Sequence, residues 1–231
     1  MSFPHSLTYY LKSIVFGPFR FFAGLTRSVF KSSTFEIKPG YIHRKKVFPH
    51  DDRGHKDENQ KEVYLKASAW MQKHGLTSVI DMGCGSGFKL IKYLGQYQTL
   101  GIDVEPVISH TATIYPRHQW MNALHFIPSN YAADLILCAD TIEHVPDPDE
   151  FLKSITSIQH WKYMIISTPE RNMKRGWYHF GPPPNSSHYR EWSKEEFLRF
   201  LSKHVQIIYH EISNSQQATL LCICQSLKGD R

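Results

Sequence analysis

Four side chains that can move a proton or bind a metal ion occur in two short polar segments. Asp140, Glu143 and His144 follow the apolar run DLILCA, and His188 lies further on in NSSHYREW. If residues 140–144 form a helix, the first three side chains share one face at i, i+3 and i+4. Because the carboxyl ends of neighbouring parallel strands meet at one edge of a sheet, we expect His144 and His188 to converge there.

Three interpretations of these residues are open. Asp140, Glu143, His144 and His188 could hold Mg²⁺ or Mn²⁺, because carboxylate oxygens and imidazole suit such ions, and the ion would lower the pKa of a substrate hydroxyl. His144 or His188 could instead act as a general base, with Glu143 as the third catalytic candidate. Finally, Glu143 and His144 could be an internal hydrogen-bonded pair that only shapes the loop.

The most informative segment is VIDMGCGSGF at 79–88, where an apolar run leads into a helical pattern. Its three alternating glycines let the backbone turn sharply and approach a ligand closely. Asp103 ends the next apolar run at the spacing at which an acid reaches ribose hydroxyls. The GxGxG spacing departs from the NAD fingerprint, and Asp81 would repel a pyrophosphate. A carboxylate there suits a ligand with ammonium and sulfonium groups, as in S-adenosylmethionine.

The motif DMGCGSG followed by GID resembles the first two motifs of class I S-adenosylmethionine-dependent methyltransferases. The similarity runs from about Glu58 to Leu227. It implies that the glycine loop contacts the methionine and ribose portion, that Asp103 holds the ribose hydroxyls, and that Val104 and Asn122 lie near adenine. The predicted cofactor-binding residues are Asp81, Gly83, Cys84, Gly85, Ser86, Gly87, Asp103, Val104, Asn122 and Ala139.

Further motifs indicate which kinds of methyltransferase the chain resembles. IEHVPDP is similar to small-molecule O-methyltransferases, including those of ubiquinone biosynthesis, and ISTPER with a later HYREW resembles methyltransferases of sugar, polyketide or cell-envelope biosynthesis. The set D-x-x-E-H with a distant His also resembles the metal site of small-RNA 3′-end 2′-O-methyltransferases, which have Glu where this chain has Asp140.

These resemblances imply O-methylation of a small-molecule, sugar or lipid-linked acceptor. Two alternatives stay open. One is a metal-dependent RNA ribose 2′-O-methyltransferase, whose basic N-terminal segment would contact phosphates. The other is a non-catalytic binding module with the same fold.

Alternating apolar strands and helical patterns predict an α/β protein with a Rossmann-like, doubly wound, seven-stranded sheet. The sheet is expected to be mostly parallel and to end in an antiparallel hairpin. SKEE at 193–196 predicts a capping box at a helix start. The predicted strands are Thr77–Met82, Gln98–Asp103, His118–Met121, Asp134–Ala139, Tyr163–Ser167, Val205–Ile212 and Ala218–Leu227, and the predicted helices include Phe88–Leu94, 106–115 and Asp149–His160.

Residues 1–57 are predicted to be an amphipathic helical extension and a lid loop, ahead of a methyltransferase domain at 58–231. Apolar residues recur at helical spacing over 7–31. The apolar side of such a helix would contact anionic lipid. Alternatively, it would pack on the rest of the protein or on a second subunit of a homodimer. The candidate lid residues are Tyr41, His43 and Arg44.

Composition limits the class of protein. The chain has 231 residues, of which 41% are hydrophobic and 21% charged, which excludes disordered and fibrous proteins. Residues 1–46 carry eight lysines and arginines against one glutamate, so the overall charge of +6 does not by itself indicate nucleic-acid binding.

Four cysteines in apolar or glycine-rich runs predict reduced thiols. We see no signal peptide or membrane-spanning run and expect a cytoplasmic protein, with peripheral contact at the inner membrane face as a further option.

Overall fold

The computed structural model describes residues 33–48, 51–54, 56–57 and 59–227, so the helices predicted over 7–31 lie outside the described residues. The strands are β1 (Ser78–Met82), β2 (Gln98–Asp103), β3 (Gln119–Asn122), β4 (Leu135–Ala139), β5 (Tyr163–Pro169), β6 (Val205–Asn214) and β7 (Thr219–Ser226). They form one sheet in the order β3-β2-β1-β4-β5-β7-β6. The first five strands are parallel, and β7 is antiparallel to both β5 and β6. The predicted doubly wound sheet with a C-terminal antiparallel hairpin is confirmed.

Six α-helices connect or flank the strands in the described part of the chain. They are α1 (Lys61–His74), α2 (Phe88–Leu94), α3 (Val107–Ile114), α4 (Pro148–Ile155), α5 (Arg171–Arg175) and α6 (Lys194–Leu201). Helix α4 is shorter than predicted, because Trp161 Nε1 donates to the Thr156 carbonyl at 3.1 Å and residue 159 turns back to pair with residues 131–132. No helix among the described residues is long and apolar enough to cross a bilayer.

The sheet is covered on both faces, which explains the continuous apolar runs of its central strands. All five residues of β4 are buried. Ile136 and Cys138 contribute to one hydrophobic cluster, whereas Leu135 and Leu137 contribute to the cluster on the other face, as the two-residue period of a strand requires. Strand order reverses between β1 and β4, so the loops that follow these two strands open a crevice at the carboxyl edge of the sheet.

Residues 33–48 pack on the segment that follows α5. Ile37 and Tyr41 are buried in the core. Backbone N–H groups of Ile42 and Arg44 donate to the carbonyls of Phe180 and Tyr189, each at 2.8 Å. The described part of the predicted N-terminal extension is therefore continuous with the main core, while a boundary at residue 57 stays a prediction.

The capping box predicted at the start of α6 is present. Ser193 Oγ accepts from the Glu196 N–H at 3.3 Å, and Glu196 Oε2 accepts from the Ser193 N–H at 2.9 Å. Glu196 also forms a buried ion pair with Arg171 at 2.7 Å, which ties α6 to α5.

Replacing the capping hydroxyl should destabilise the protein. We expect Ser193→Ala to lower the free energy of unfolding by about 1 kcal/mol, because the Glu196 N–H loses its acceptor at the helix start. Urea unfolding of the purified protein measures this change. The matched control is Ser202→Ala at the other end of α6, where the hydroxyl only donates to the Arg199 carbonyl; equal losses in both variants would contradict the capping role.

Candidate active site

A cavity of about 570 Å³ lies at the carboxyl edge of the sheet, within the size range of small-molecule sites. One end is formed by the glycine loop after β1 and by the residues that follow β2. The other end is formed by residues 139–144 after β4 and residues 185–188. The cavity therefore joins the two groups of residues that the sequence singled out.

The glycine loop turns sharply at the end of β1. Gly83 has φ +81°, and a Cβ there would lie 2.3 Å from Thr141 Oγ1. Gly85 has φ +55°, and a Cβ there would lie 3.2 Å from Asp52 Cβ. The left-handed backbone favours glycine at both positions, and at Gly83 a side chain would also collide with Thr141.

Asp81 lies buried below this loop and is only partly satisfied. Its Oδ2 accepts from Tyr64 OH at 2.8 Å, whereas Oδ1 has no hydrogen-bond partner. Burial raises the pKa of Asp81 to about 7, although the hydrogen bond from Tyr64 and the charge of Lys89 both lower it. A buried carboxylate with an unused oxygen fits a cationic ligand group, because the ligand would compensate the lost hydration.

Asp103 faces the same end of the cavity from the end of β2. Its Oδ2 accepts from Gly85 N–H and its Oδ1 from Val104 N–H, both at 2.7 Å. Burial raises its pKa in spite of these two bonds. Asp52, Asp103 and Glu105 line this part of the cavity, which favours a positively charged ligand.

The structure places most of the predicted cofactor-binding residues around this end. Gly83, Cys84, Gly85, Ser86, Asp103, Val104 and Ala139 line the cavity. Asp81, Gly87 and Asn122 do not: Asp81 is buried, and Gly87 lies against Thr111 and Trp120. The Oδ1 of Asn122 accepts from Leu124 N–H at 2.9 Å, and the Nδ2 of Asn122 donates to Glu105 Oε1 at 3.3 Å. Its contact with adenine stays a prediction, as do the roles assigned to the other residues.

The segment after β4 is not the helix that the sequence suggested. Asp140 adopts a left-handed backbone (φ +50°), and only residues Ile142–His144 form a short 3₁₀ turn. Asp140 Oδ1 accepts from Ser167 Oγ at 2.5 Å. Glu143, His144 and His188 each have one oxygen or nitrogen atom that could bind a metal ion, and these three atoms lie within 4.8 Å of one another. Asp140 does not belong to this group. His144 and His188 thus converge as expected, whereas the candidate metal set is only partly assembled, because Ser167 holds the Asp140 carboxylate.

Glu143 is fully buried beside the two histidines. Its Oε2 accepts from Thr168 Oγ1 at 3.0 Å, and its Oε1 has no hydrogen-bond partner. Burial raises the pKa of Glu143 well above its ordinary value, and the charge of Asp140 adds to this effect. A hydroxyl or a cation beside Oε1 would satisfy this oxygen.

His144 has a fixed tautomer. Its Nδ1 lies 3.0 Å from the Ser187 carbonyl oxygen, which can only accept, so Nδ1 carries the proton. The neutral ring therefore has its lone pair on Nε2. The His144 and His188 rings are perpendicular, with centroids 4.6 Å apart.

Both ring nitrogens of His188 are engaged. Nδ1 lies 3.0 Å from Glu191 Oε1, and Nε2 lies 2.9 Å from Asn185 Nδ2. Burial works against ionisation of Glu191, but the hydrogen bond from His188 and the charge of Arg175 hold the pKa of Glu191 below its ordinary value. In this arrangement His188 can offer Nε2 to a metal ion only if Asn185 moves away, so the predicted metal set fits incompletely.

Sequence reasoning missed several residues that complete the site. Asn185 and Glu191 stand three residues either side of His188, so the pattern N-x-x-H-x-x-E is the signal that could have found them. Tyr64 and Thr168, which hold the two buried carboxylates, come from distant elements and have no local signal.

The candidate lid residues do not lie on the cavity wall. Tyr41 is buried, and its hydroxyl accepts from Glu191 N–H at 3.1 Å. Part of the wall comes instead from residues slightly further along, namely Val47, Phe48, Asp51 and Asp52.

Comparison with known proteins identifies the type of domain. A family of methyltransferase domains matches residues 44–208. The chain is 28% identical over 121 residues to a ubiquinone biosynthesis O-methyltransferase of Acinetobacter baylyi, a match that covers 46% of this chain and 50% of that protein. A protein of the same description from Coxiella burnetii is 24% identical over 59% of this chain and 69% of its own length. The chain thus spans about half of the Acinetobacter relative.

Solved structures share the fold at low sequence identity. The methyltransferase domain of bacterial CtHen1 has a TM-score of 0.55 and 19% identity, covering 72% of this chain and 98% of that one. Magnesium protoporphyrin IX methyltransferase from Synechocystis, with bound SAH, has a TM-score of 0.54 and 14% identity, covering 72% and 83%. These likenesses concern the fold alone.

The buried Asp81 predicts a pH dependence of stability. Its pKa of about 7 in the folded state exceeds the ordinary value of 3.8, so the folded protein keeps this proton where the unfolded chain releases it. The free energy of unfolding of the ligand-free protein should therefore fall as pH rises from about 4 to about 7, by at most ~4 kcal/mol from this group.

Urea unfolding of wild type and Asp81→Asn at about pH 5 and about pH 8 tests this linkage. Asparagine has no charge to bury, so the variant should lose less stability than wild type between the two conditions. Glu143 and Asp140 contribute equally to the pH dependence of both proteins. The quantity that reports on Asp81 is therefore the difference between the two losses in unfolding free energy. Equal losses would show that Asp81 is not the group responsible.

Proposed function

This chain belongs to the family of class I, S-adenosylmethionine-dependent methyltransferase domains, and on that premise we propose that it methylates a hydroxyl oxygen of a small-molecule acceptor, including sugars and lipid-linked precursors. The observation that carries the proposal is one cavity with the glycine loop and Asp103 at one end and Glu143, His144 and His188 at the other. The names of the curated relatives, ubiquinone biosynthesis O-methyltransferases, support transfer to oxygen.

The glycine-loop end fits S-adenosylmethionine. The glycine backbone would approach its methionine and ribose portion, and Asp103 would hold the ribose hydroxyls. The unpartnered Oδ1 of Asp81 and the nearby Asp52 and Asp103 would favour its positive charges. Bound S-adenosylmethionine supplies a methyl group activated by attachment to a positively charged sulfur.

The other end of the cavity provides a proton acceptor for the attacking hydroxyl. His144 is the better base, because its Nδ1 proton is held by the Ser187 carbonyl and its lone pair is on Nε2. Glu143 would orient the acceptor through Oε1. Because positioning supplies much of the acceleration of such a displacement, the site needs no further nucleophile.

A methyl group in the glycine loop should abolish cofactor binding. We expect Gly83→Ala to weaken the affinity for S-adenosylhomocysteine at least about a hundredfold, because a residue with φ +81° that contacts Thr141 must move the loop. Isothermal titration calorimetry measures the affinity. Gly54→Ala is the control, since a Cβ there meets no atom within 4 Å. Unchanged affinity in Gly83→Ala would contradict the assigned cofactor site.

Methyl-labelled S-adenosylmethionine and extract of the source cell test the reaction itself. We expect label in the small-molecule, glycan or lipid fraction, with the rate reduced about 10²- to 10⁴-fold in His144→Ala because the proton acceptor is lost. S-adenosylhomocysteine affinity should be unchanged in this variant. Label in RNA would overturn the proposed acceptor class, and transfer at the wild-type rate by His144→Ala would exclude His144 as the base.

Metal-assisted transfer is the second candidate, favoured by the closeness of Glu143, His144 and His188. The ions considered are Mg²⁺ and Mn²⁺. The same assay decides, since loss of transfer on adding EDTA and its recovery with Mn²⁺ would support a metal. Contact of residues 7–31 with a membrane surface and a homodimer stay predictions.

A further inference from the structure

Asn185 stands on the cavity wall at the acceptor end. Its side-chain oxygen accepts from Ser187 N–H at 3.0 Å and from Ser187 Oγ at 2.7 Å. A backbone N–H can only donate, so the atom facing it must be the amide oxygen. The orientation of the amide is thereby fixed, and the amide nitrogen faces His188.

A chain of hydrogen bonds then runs from a buried carboxylate to the cavity. Glu191, which is 1% exposed, accepts from His188 Nδ1, so His188 Nε2 carries a lone pair. Asn185 Nδ2 donates one hydrogen to that lone pair at 2.9 Å. No residue in the described part of the chain accepts the second hydrogen of Nδ2.

We propose that Asn185 is an acceptor-binding residue whose second amide hydrogen binds an oxygen of the methyl acceptor next to the hydroxyl that is methylated. The ligand group is a hydroxyl, ether or carbonyl oxygen. His188 and Glu191 are positioning residues: they hold the amide in the orientation in which this hydrogen is offered to the cavity. The inference rests on the proposed function and changes the role of His188, whose lone pair serves Asn185 instead of the reaction.

The placement of Asn185 complements that of His144 and Glu143. These two residues accept a proton or a hydrogen bond from the acceptor, whereas Asn185 donates one. His144 and His188 are in ring contact, so the donor and the proton acceptor lie close enough to engage two oxygens of one small molecule. A site that fixes one donor and one acceptor in this way discriminates against molecules lacking the second oxygen.

The test uses the full chain, labelled S-adenosylmethionine and the labelled acceptor fraction identified above as the probe. The amount of this fraction that gives half-maximal rate should rise about tenfold in Asn185→Ala, the effect of one lost hydrogen bond. The rate at saturation should stay within about threefold of wild type, since the base is retained. Asn185→Asp keeps the size but removes the donor, and should lose at least as much.

Two comparisons separate positioning from general damage. Glu191→Ala should raise the half-saturating amount as Asn185→Ala does, and Glu191→Gln should restore it because its amide oxygen still accepts from His188 Nδ1. Ser186→Ala, on the same loop and outside the cavity wall, is the matched control. S-adenosylhomocysteine affinity should be equal in all variants.

Each outcome bears on one proposal. Unchanged half-saturation in Asn185→Ala, with transfer retained, overturns this inference only. A loss confined to the saturated rate assigns Asn185 to the chemical step and also overturns it. If wild type transfers label to no fraction, the proposed function fails and the inference fails with it.

Discussion

The hydrogen bond from Thr141 Oγ1 to the Met82 carbonyl, 3.0 Å long, joins the two halves of the site. It exists because β1 and β4 are adjacent and parallel, so the loops after them leave the sheet side by side. The same threonine occupies the space that a side chain at residue 83 would need. The left-handed backbone of Asp140 turns the chain so that Thr141 can reach this position. The shape of the glycine loop is thus set by a residue of the loop that follows β4.

Two buried carboxylates, one at the end of the strand before the glycine loop and one on the cavity wall, are only half satisfied. Asp81 and Glu143 each have one oxygen bonded to a hydroxyl, from Tyr64 and Thr168, and one oxygen without a partner. Such groups are costly in a protein that binds nothing. Glu143 belongs to the cavity wall, so a ligand group that reached its Oε1 would satisfy this oxygen.

The sheet and the glycine loop were predictable because their signals are local. Apolar runs of five or six residues, alternating with helical patterns, define the strands, and three glycines at two-residue spacing define the loop. The capping box at Ser193 is equally local. By contrast, the sequence of residues 140–144 is also compatible with a helix. The chain forms a left-handed turn at Asp140 instead, because Ser167 on the neighbouring strand accepts from the Asp140 N–H and donates to the Asp140 carboxylate.

The other differences also arise from contacts between distant residues. Helix α4 ends early because Trp161 and residues 131–132 bind the chain that follows it. The hydrogen bond from Leu124 N–H to Asn122 Oδ1, which caps the next turn, was not indicated by the sequence. The orientation of His188 depends on Asn185 and Glu191, whose spacing was visible, whereas their conformation depends on the fold of the whole loop.

The packing of residues 33–48 has a consequence for synthesis of the chain. Phe35 accepts from Trp192 Nε1 at 2.9 Å, and Lys38 N–H donates to Glu196 at 3.0 Å, contacts that span 157 and 158 residues. A ribosome therefore releases the first segment long before its partners exist, and closing so large a loop is slow. The wall of the cavity that begins at Val47 is completed only when nearly the whole chain has emerged. A nascent chain stopped before Trp192 contains the residues of β1 to β5 and of the glycine loop, but it lacks the side chains of Trp192 and Glu196 that hold residues 35 and 38.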